Sequence, residues 1–344
     1  MRTRLPTLGT PSARPRRART PGARAARGRP LARYLASRGL QAALVLLGTF
    51  TLAFVLLSVL PGDALSIKLS GAGDAALSPD EVARLRAEYG YDDPLVERYL
   101  RQLGGLLGGD LGTSLHTGSP VLSMLGSALP HTAQLAGLAL LFGVTAGLLV
   151  GSVAAHARGR WAREALMSLP PLGISFPTFA VGLVLIQVVA FQWRALPSGG
   201  TDGFENLVLP AITLALPVTA TVAQIFHRSL REVLAQGYVD TAVAKGAGRL
   251  RLHLAHATRN AAGPALTATA VVVGNLLGGA VVTETVFSRE GIGRLTADAV
   301  TRQDLPVVQG VVLLSALVFV VVNLLVDLAY PLLDRRVTVT EAVR

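Results

Sequence analysis

The chain alternates between long uncharged stretches and short segments that carry nearly all of its ionisable side chains. Six stretches of 20 to 27 residues contain no Asp, Glu, Lys, Arg or His, and together they account for 138 of the 344 residues. They are Gly39–Leu60, Thr132–Ala155, Ala165–Phe191, Leu207–Phe226, Ala261–Thr283 and Leu305–Val326. About 20 apolar residues in a helix cross the ~30 Å hydrocarbon core of a bilayer, where the backbone must satisfy its own hydrogen bonds. The pattern predicts an all-α membrane protein with six transmembrane helices.

These predicted helices divide the chain into five parts. Residues 1–38 form a tail without periodicity that is too polar to order itself, and residues 39–60 form the first transmembrane helix. Residues 61–130 are predicted to form a small helical cap on the outer surface. Residues 131–330 hold the other five transmembrane helices, and residues 331–344 form a C-terminal tail.

Within the predicted cap, local signals place two short helices and a turn. Ser78-Pro79-Asp80-Glu81 combines a capping box with a proline at the first helical position, and this helix should end near Tyr89. Asp93-Pro94 begins a second helix that is expected to end before Gly104-Gly105. Asp110–Ser114 is predicted to be a turn rather than a strand.

The distribution of Lys and Arg sets the expected orientation in the membrane. If the N-terminus is cytoplasmic, the inside segments hold 23 Lys and Arg residues and the outside segments hold 9. Leaving out the long N-terminal tail still gives 12 against 9. Both termini are therefore expected in the cytoplasm. The first predicted helix is too long and too far from the N-terminus for a signal peptide.

Composition excludes several classes of protein. Hydrophobic residues make up 51% of the chain and charged residues only 15%, and the mean hydropathy is +0.50. A soluble domain carries about 25% charged residues, so a cytosolic enzyme is disfavoured. The net charge of +11 comes from eleven Arg in residues 1–38, with no acid among them. Because the rest of the chain is balanced, no nucleic-acid partner is expected.

The sequence shows no set of residues suited to covalent or metal chemistry. The six uncharged stretches lack ionisable groups, and no HExxH, GxSxG or Walker-type motif occurs. There is no Cys, and His253 and His256 have no third ligand nearby, so no metal site is expected. We expect a chain that is not an enzyme and binds no cofactor. Energy for uphill transport would come from another subunit.

Small residues and prolines predict how the helices pack. Gly143, Gly147 and Gly151 recur every fourth residue in the second uncharged stretch, and Gly274 with Gly278 repeats this spacing in the fifth. Glycines at that spacing allow helix backbones to approach closely in a membrane. Prolines in the third and fourth stretches interrupt the helical hydrogen bonds and predict kinks there.

The connection between the fourth and fifth stretches, residues 227–260, is the most basic of the short loops, with 6 Lys and Arg against 2 acids. Tyr238–Lys245 is predicted to form a short helix, Gly246-Ala247-Gly248 a turn, and Arg249–Asn260 a second helix. Glycine tolerates the positive φ that such a turn requires. Two projecting helices offer a ridge for the groove of a partner. The alternative is an amphipathic linker on the membrane surface.

The same loop carries a resemblance to a known family. Tyr238–Gly246 (YVDTAVAKG) and Ala255–Ala261 (AHATRNA) resemble the cytoplasmic loop of ABC-importer permeases of the oligopeptide, dipeptide and nickel transport family. The resemblance extends over nearly the whole chain from Arg38 onward. Further matching segments are, in order, Leu60–Asp63, Tyr89–Pro94, Gly109–Gly112, Leu207–Ala211, Gly278–Val282 with Glu284 and Phe287, Gly291–Gly293, Asp304–Pro306, Asn323 and Asp327–Tyr330.

The chain departs from the family pattern at two places of interest. Val243 stands where the family usually has Arg, which removes a cation from the loop. Arg289-Glu290 stands where the family usually has Trp-Pro, a change that is expected to alter only the local geometry of a loop.

The resemblance implies the fold and the partners. The fold would be that of a type I ABC importer permease in a bacterial inner membrane. The chain would pair with a second homologous permease, cytoplasmic ABC ATPases that bind ATP, and an extracytoplasmic solute-binding protein. The ATPases would be contacted through residues of the loop segment Tyr238–Gly246, which is mostly small or apolar. These are Tyr238, Asp240, Thr241, Ala242, Lys245 and Gly246.

Two questions stay open at the level of sequence. The cargo implied by the resemblance is a peptide, with nickel or another small solute as the alternative. A membrane channel or scaffold without ATP coupling is the alternative function. A membrane enzyme is disfavoured because the predicted spans carry no ionisable groups.

Overall fold

The computed structural model describes residues 28–59, 93–157, 159–248 and 252–333, and these residues are almost entirely helical. An isolated bridge between Thr113 and Pro120 is the only β pairing within them. The helices are α1 (Gly28–Val59), α2 (Leu95–Leu107), α3 (Val121–His156), α4 (Arg160–Ser175), α5 (Thr178–Leu185), α6 (Glu205–Leu234), α7 (Gly237–Ala244), α8 (Thr258–Val286), α9 (Ile292–Thr301) and α10 (Leu305–Leu333). Two π-helical segments, Ile186–Gln192 and Leu252–Ala257, adjoin α5 and α8. The predicted helix at Ser78–Tyr89 lies outside the described residues.

The predicted all-α membrane architecture is confirmed. In the described part of the chain, α1, α3, α6 and α10 are long and apolar enough to cross a membrane, and α8 is a fifth if its two bent parts count as one span. The third predicted span, residues 165–191, is not one helix. It is divided between α4, α5 and a π-helical segment, and α4 ends just before Phe176-Pro177. Proline disfavours helical geometry in the residue before it and lacks the N–H that would continue the ladder.

Two helix boundaries differ from the predicted division of the chain. Helix α1 begins at Gly28, so its first residues lie in the stretch predicted to be a disordered tail. The Ala, Leu and Arg residues there are strong helix formers, and Pro30 falls in the first turn, where its missing N–H breaks no bond. Helix α3 begins at Val121, so residues 121–130 belong to this helix rather than to the cap.

The cap helix α2 also runs further than the sequence predicts. It continues through Gly104-Gly105 to Leu107, because glycine weakens a helix without ending it. Tyr99 of α2 contacts α1: its ring centroid lies 5.5 Å from that of Phe50 and 5.4 Å from that of Phe54. Its hydroxyl lies 2.9 Å from the Thr51 hydroxyl. These contacts fix α2 against the second half of α1.

Helix α6 is the centre of the helix packing. It packs most extensively against α3, and it also contacts α8 and α4. The largest apolar cluster joins α3, α6 and α8 through buried side chains that include Leu135, Leu214, Val218, Val222 and Leu276. A second cluster lies where α3, α9 and α10 meet, and a third lies where the end of α6 meets the beginning of α8. We call the end of the molecule that contains the second cluster the α9 side, and the end that contains the third cluster the loop side.

Candidate functional site

Helix α7 lies on the loop side, directly after α6. Gln236 is extended, with φ −82° and ψ 141°, so the chain turns before the new helix begins at Gly237. Asp240 lies in the first turn of α7, where a negative charge is favourable for the helix dipole. Val239 is buried, and Asn260 donates a 3.0 Å hydrogen bond to the Tyr238 hydroxyl. These contacts attach α7 to the base of α8.

A tight turn at Gly246 ends α7. The N–H groups of Lys245, Gly246 and Ala247 donate to the carbonyls of Thr241, Val243 and Ala242 at 2.9 to 3.1 Å. Gly246 has φ +83° and its Cα faces open space. A glycine in this left-handed conformation satisfies the last carbonyls of a helix at no steric cost, whereas a β-branched residue is strained there. The position therefore requires glycine because of its backbone conformation and not because of crowding.

Most of the loop residues identified from the sequence are exposed. Asp240, Thr241, Lys245 and Gly246 are exposed, and Ala242 is half-buried. Tyr238 and Val243, which are 38% and 55% exposed, add apolar area to the same helix. We call the exposed residues Tyr238, Asp240, Thr241, Val243 and Lys245 the α7 surface. Its mixture of apolar and polar groups is typical of a protein interface.

The second helix predicted for this loop, residues 249–260, does not form a separate element in its described part, which begins at Leu252. Leu252–Ala257 is a π-helical segment that runs directly into α8. Leu252, Ala257 and Ala261 are buried, and Ala257 and Ala261 pack on Phe226 and Leu230 of α6. Burial of these side chains holds the segment against α6, so it forms the base of a long helix rather than a projecting arm.

His253 belongs to this base and contacts the end of α3. The rings of His253 and His156 are 4.6 Å apart and nearly perpendicular, at 84°. Burial lowers the pKa of His253, and the neighbouring His156 lowers it further. Its Nδ1 atom is buried and has no hydrogen-bond partner among the described residues. The neutral ring is therefore favoured, and the pair is a packing contact. Within the described part of the chain no cluster of three metal-binding side chains occurs.

Glycines of α3 lie against α6. A Cβ added to Gly143 would lie 2.5 Å from the Val218 Cβ, and one added to Gly147 would lie 2.8 Å from the Val222 Cβ. At Gly151 it would lie 3.0 Å from a carbonyl oxygen of α6. Real Cβ atoms essentially never make contacts under 3.0 Å, so a neighbour would have to move at Gly143 and Gly147, and the contact at Gly151 would be tight. The spacing identified from the sequence therefore coincides with a close approach of two backbones.

The second predicted pair of packing glycines lies in roomier surroundings. A Cβ at Gly274 would make an ordinary 3.4 Å contact with the Phe319 ring of α10, and Gly278 has open space around it. The same spacing on α8 thus marks no close approach at Gly278 in this chain.

On the α9 side, a buried carboxylate joins three elements. Glu284, fully buried near the end of α8, accepts a 2.6 Å hydrogen bond from the Thr132 hydroxyl of α3. It also accepts hydrogen bonds from the backbone N–H groups of Gly293 (2.7 Å) and Arg294 (3.2 Å) in the first turn of α9. Thr132 in turn accepts from the N–H of Ile292 at 2.8 Å. A carboxylate at the N-terminus of a helix accepts hydrogen bonds from the free N–H groups there and interacts favourably with the positive end of the helix dipole.

Two more charged groups fix loops on the same side. Arg289 is 1% exposed and donates to the carbonyl oxygens of Gly200 (3.1 Å) and Asn206 (3.4 Å). Asp304 is buried before α10 and accepts hydrogen bonds from the Ser114 hydroxyl and from the Leu115 N–H. The Arg289-Glu290 departure thus does more than alter local geometry, because Arg289 joins the end of α8 to the loop before α6.

Sequence reasoning assigned no role to these three charges. Glu284 directly follows the uncharged stretch that ends at Thr283, and Asp304 directly precedes the stretch that begins at Leu305. A charge that borders a membrane span can remain in water, so position alone does not predict burial. One sequence feature indicates that α9 needs a hydrogen-bond acceptor from elsewhere. It is the glycine-bounded turn Gly291-Ile292-Gly293, which begins this helix without a capping side chain of its own.

Comparisons with known proteins identify the family. Residues 147–339 match the model of the binding-protein-dependent transport system inner membrane component. The chain is 38% identical over 304 residues to the probable peptide ABC transporter permease protein y4tP of Sinorhizobium fredii, covering 86% of this chain and 95% of the relative. It is 35% identical over 322 residues to the dipeptide transport system permease protein DppB of Escherichia coli K12, covering 85% and 94%. The chain belongs to this family.

Two further similarities agree with this assignment. The glutathione transport system permease protein GsiC of Salmonella paratyphi A is 36% identical over 297 residues, covering 86% of this chain and 96% of the relative. The fold resembles a chain of the MetNI methionine ABC transporter in an inward-facing conformation, with a TM-score of 0.53 at 16% identity, covering 61% of this chain and 96% of the other. This permease is therefore a multi-pass membrane transport component rather than an enzyme, and it has the fold of ABC importer permeases.

Proposed function

We propose that this permease translocates peptides that an extracytoplasmic binding protein delivers. Three relatives at 35 to 38% identity, matched over 85 to 86% of this chain, are named as permeases for peptides, dipeptides or glutathione. All three names describe peptide cargo. A second homologous permease and cytoplasmic ABC ATPases would complete the importer. The uncharged spans suit a pathway that takes its energy from other subunits.

The α7 surface is the proposed contact with the ATPases. The observation that carries this proposal is that α7 exposes Tyr238 and Val243 beside polar side chains, while Val239 alone is buried among its residues. An apolar patch on a projecting helix is stabilised when a protein partner removes it from water. Val243 in place of a cation makes this contact less dependent on charge.

Helix α8 is the proposed route by which movement at α7 reaches the α9 side. Asn260 joins the beginning of α8 to Tyr238, and Glu284 joins its end to α9 and to Thr132. A displacement of α7 would therefore tilt α8 against α6 and carry α9 with it. Rigid movement of packed helices is one of the established ways in which transporters change state.

The loop side is proposed to face the cytoplasm, and both chain termini with it. With both termini on that side, its segments would hold 23 of the 32 Lys and Arg residues, which favours a cytoplasmic location in a bacterial inner membrane. The α9 side would then receive the binding protein.

The coupling proposal is tested by replacing Gly246 with Val. At φ +83° a β-branched residue is strained, so Gly246→Val should displace the turn that ends α7. In vesicles with the ATPases and loaded binding protein, we expect loss of ligand-stimulated ATP hydrolysis and of uptake. Gly248→Val is the matched control, because Gly248 also has open space but no positive φ.

Two outcomes would contradict the proposal. Gly246→Val importers that assemble and transport at the wild-type rate would show that α7 does not carry the coupling. Uptake of Ni²⁺ rather than of labelled dipeptides by the wild-type vesicles would contradict the proposed cargo while leaving the coupling intact. Calorimetric titration of dipeptides into the cognate binding protein gives an independent measure of cargo.

A further inference from the structure

Two adjoining cavities lie between α1, α2, α3 and α10, away from the α7 surface. Their volumes are about 400 Å³ and about 480 Å³, within the range of about 300–1,000 Å³ that is typical of ligand sites. They share four lining residues, Leu106, Leu111, Gly310 and Leu313, so they lie directly beside one another. Neither cavity belongs to the contacts of α7, α8 and α9 described above.

The larger cavity is lined almost wholly by hydrocarbon. Its walls are leucines of four helices, among them Leu46, Leu103, Leu122 and Leu317, together with Gly126. A space of this kind offers no hydrogen bonds to water and stays dry. In a chain that spans a bilayer, the acyl chains of lipids are the apolar groups available to pack against such walls. The cavity therefore suits an acyl chain.

The smaller cavity carries polar groups where it adjoins α2. Arg98, Arg101, Asp110 and Gln309 line it, beside the aromatic side chains that hold α2 on α1. The Gln309 Nε2 atom is buried and has no hydrogen-bond partner among the described residues. A buried amide donor without a partner is unfavourable, so an acceptor supplied by a ligand would stabilise it.

Both signs of charge are present at this polar end. Arg101 forms an ion pair with Asp93 and lies 3.9 Å from Glu97, and Asp110 lines the same cavity. Arg101 thus lies beside two carboxylates, and the cavity wall itself carries Asp110 and a second guanidinium group, that of Arg98. A purely anionic headgroup would be opposed by the carboxylates, whereas a zwitterionic headgroup places its phosphate and its ammonium near opposite charges.

Helix α2 has the character of a helix at a membrane surface. Leu95, Val96, Leu100 and Leu107 are each more than half exposed, and none of its residues is buried. A helix with exposed apolar residues and charged groups such as Arg98 lies at the boundary between headgroups and acyl chains. The polar cavity beneath α2 is therefore at the depth of phosphate groups, and the leucine-lined cavity extends into the hydrocarbon.

We propose that these cavities together bind one zwitterionic diacyl phospholipid of the phosphatidylethanolamine class. One acyl chain occupies the leucine-lined cavity, Arg98, Arg101 and Gln309 donate to the phosphate and ester oxygens, and Asp110 faces the ammonium. The lipid fills the space between α1, α2 and α10. It acts as a structural ligand that joins α1 to the rest of the bundle.

The test is lipid retention by the full importer complex after purification in detergent, read by native mass spectrometry. Gly126→Leu fills the apolar cavity without adding a polar group, since a Cβ at Gly126 meets no atom within 4 Å. Gly137→Leu is the matched control, because it lies on the same helix α3 and also has open space, but lines neither cavity. Leu47→Phe intrudes on the same cavity from α1, as a second variant should Gly126→Leu fail to fold.

We expect wild type and Gly137→Leu to retain one phosphatidylethanolamine per permease, and Gly126→Leu and Leu47→Phe to lose it. After delipidation, added phosphatidylethanolamine should restore the retained mass, and phosphatidylglycerol should do so at least tenfold less well. Equal retention in Gly126→Leu and wild type, or wild type carrying only detergent, overturns the site. Equal restoration by both phospholipids overturns the assignment of the headgroup. All these outcomes are independent of cargo and of coupling through α7.

Discussion

The Thr132 hydroxyl and the Glu284 carboxylate are joined by a 2.6 Å hydrogen bond that connects α3 to the end of α8 across 152 positions of sequence. The same carboxylate accepts the N–H groups of Gly293 and Arg294 at the beginning of α9. One side chain thus fixes the mutual position of three helices. If α8 transmits movement from α7, as proposed, Glu284 is where that movement reaches the α9 side.

Replacing Glu284 with Gln should destabilise this junction. A carboxylate accepts from all three donors, whereas an amide has one oxygen and turns its NH₂ group toward a donor. Hydrogen bonds to a charged group contribute about 1.5–3 kcal/mol each, so we expect Glu284→Gln to lower stability by about 2 kcal/mol. The thermal unfolding midpoint in detergent measures this loss.

The exposed Glu232 provides the control for this change. Its ion pair with Arg228 lies on the surface of α6, and Glu232→Gln should cost less than about 1 kcal/mol because exposed pairs contribute little. Similar midpoints for the two variants would show that Glu284 does not hold the junction. Thr132→Val removes one donor to the carboxylate and also the acceptor of the buried Ile292 N–H, so it should lower the midpoint about as much as Glu284→Gln.

The sequence predicts the features that depend on neighbours along the chain. The uncharged stretches predict helices because each segment that crosses a bilayer must satisfy its own backbone hydrogen bonds. The turn at Gly246 is predicted by a glycine that lies between two helical segments. The pairing of Thr132 with Glu284 depends on the tertiary arrangement of α3 and α8. Burial of Ala257 against α6 joins the predicted second loop helix to α8. This burial also depends on a tertiary arrangement, that of α6 and the beginning of α8.

Crowding at Gly147 and open space at Gly278 give opposite predictions for the same substitution. Gly147→Ala brings a Cβ to 2.8 Å from Val222, and overpacking of this kind costs about 1–3 kcal/mol. Gly278→Ala meets no atom and should raise stability by about 0.5–1 kcal/mol, because alanine is the better helix former. Unfolding midpoints in detergent decide the sign of each effect.

A compensating change identifies the contact responsible. Val222→Gly removes both side-chain atoms that crowd Gly147, the Cβ at 2.8 Å and the Cγ1 at 2.9 Å, so the double variant Gly147→Ala with Val222→Gly should be more stable than the sum of the two single effects. Strict additivity would show that α3 and α6 are not in contact at this point.

The proposed orientation predicts which side of the membrane is accessible from outside. The chain contains no Cys, so single cysteines can be introduced at exposed positions. A cysteine at Thr117, on the α9 side, should react with a membrane-impermeant thiol reagent in intact cells. A cysteine at Ala244, in α7, should react only after permeabilisation. The reverse pattern would place the loop side outside and separate α7 from any cytoplasmic ATPase.

The contact between His253 and His156 predicts a dependence of stability on pH. Burial lowers the pKa of His253 below its usual value of about 6.5, so in the window below that value the unfolded chain binds more protons than the folded one. The contribution of the neutral ring is therefore complete above about pH 6.5. It is lost progressively as the pH falls toward the lowered pKa. The unfolding midpoint should decrease over this range.

The variant His253→Gln isolates this contribution. Removal of the titrating ring should lower the unfolding midpoint at pH 7.5, because the packing contact with His156 is lost. It should also flatten the decrease of the midpoint between pH 6.5 and pH 5. His116→Gln, which changes an exposed histidine on the α9 side, serves as the control and should keep the wild-type profile. If His253→Gln and wild type lose stability in parallel as the pH falls, the ring of His253 is not held in its neutral form. The base of α8 would then owe its pH response to other groups.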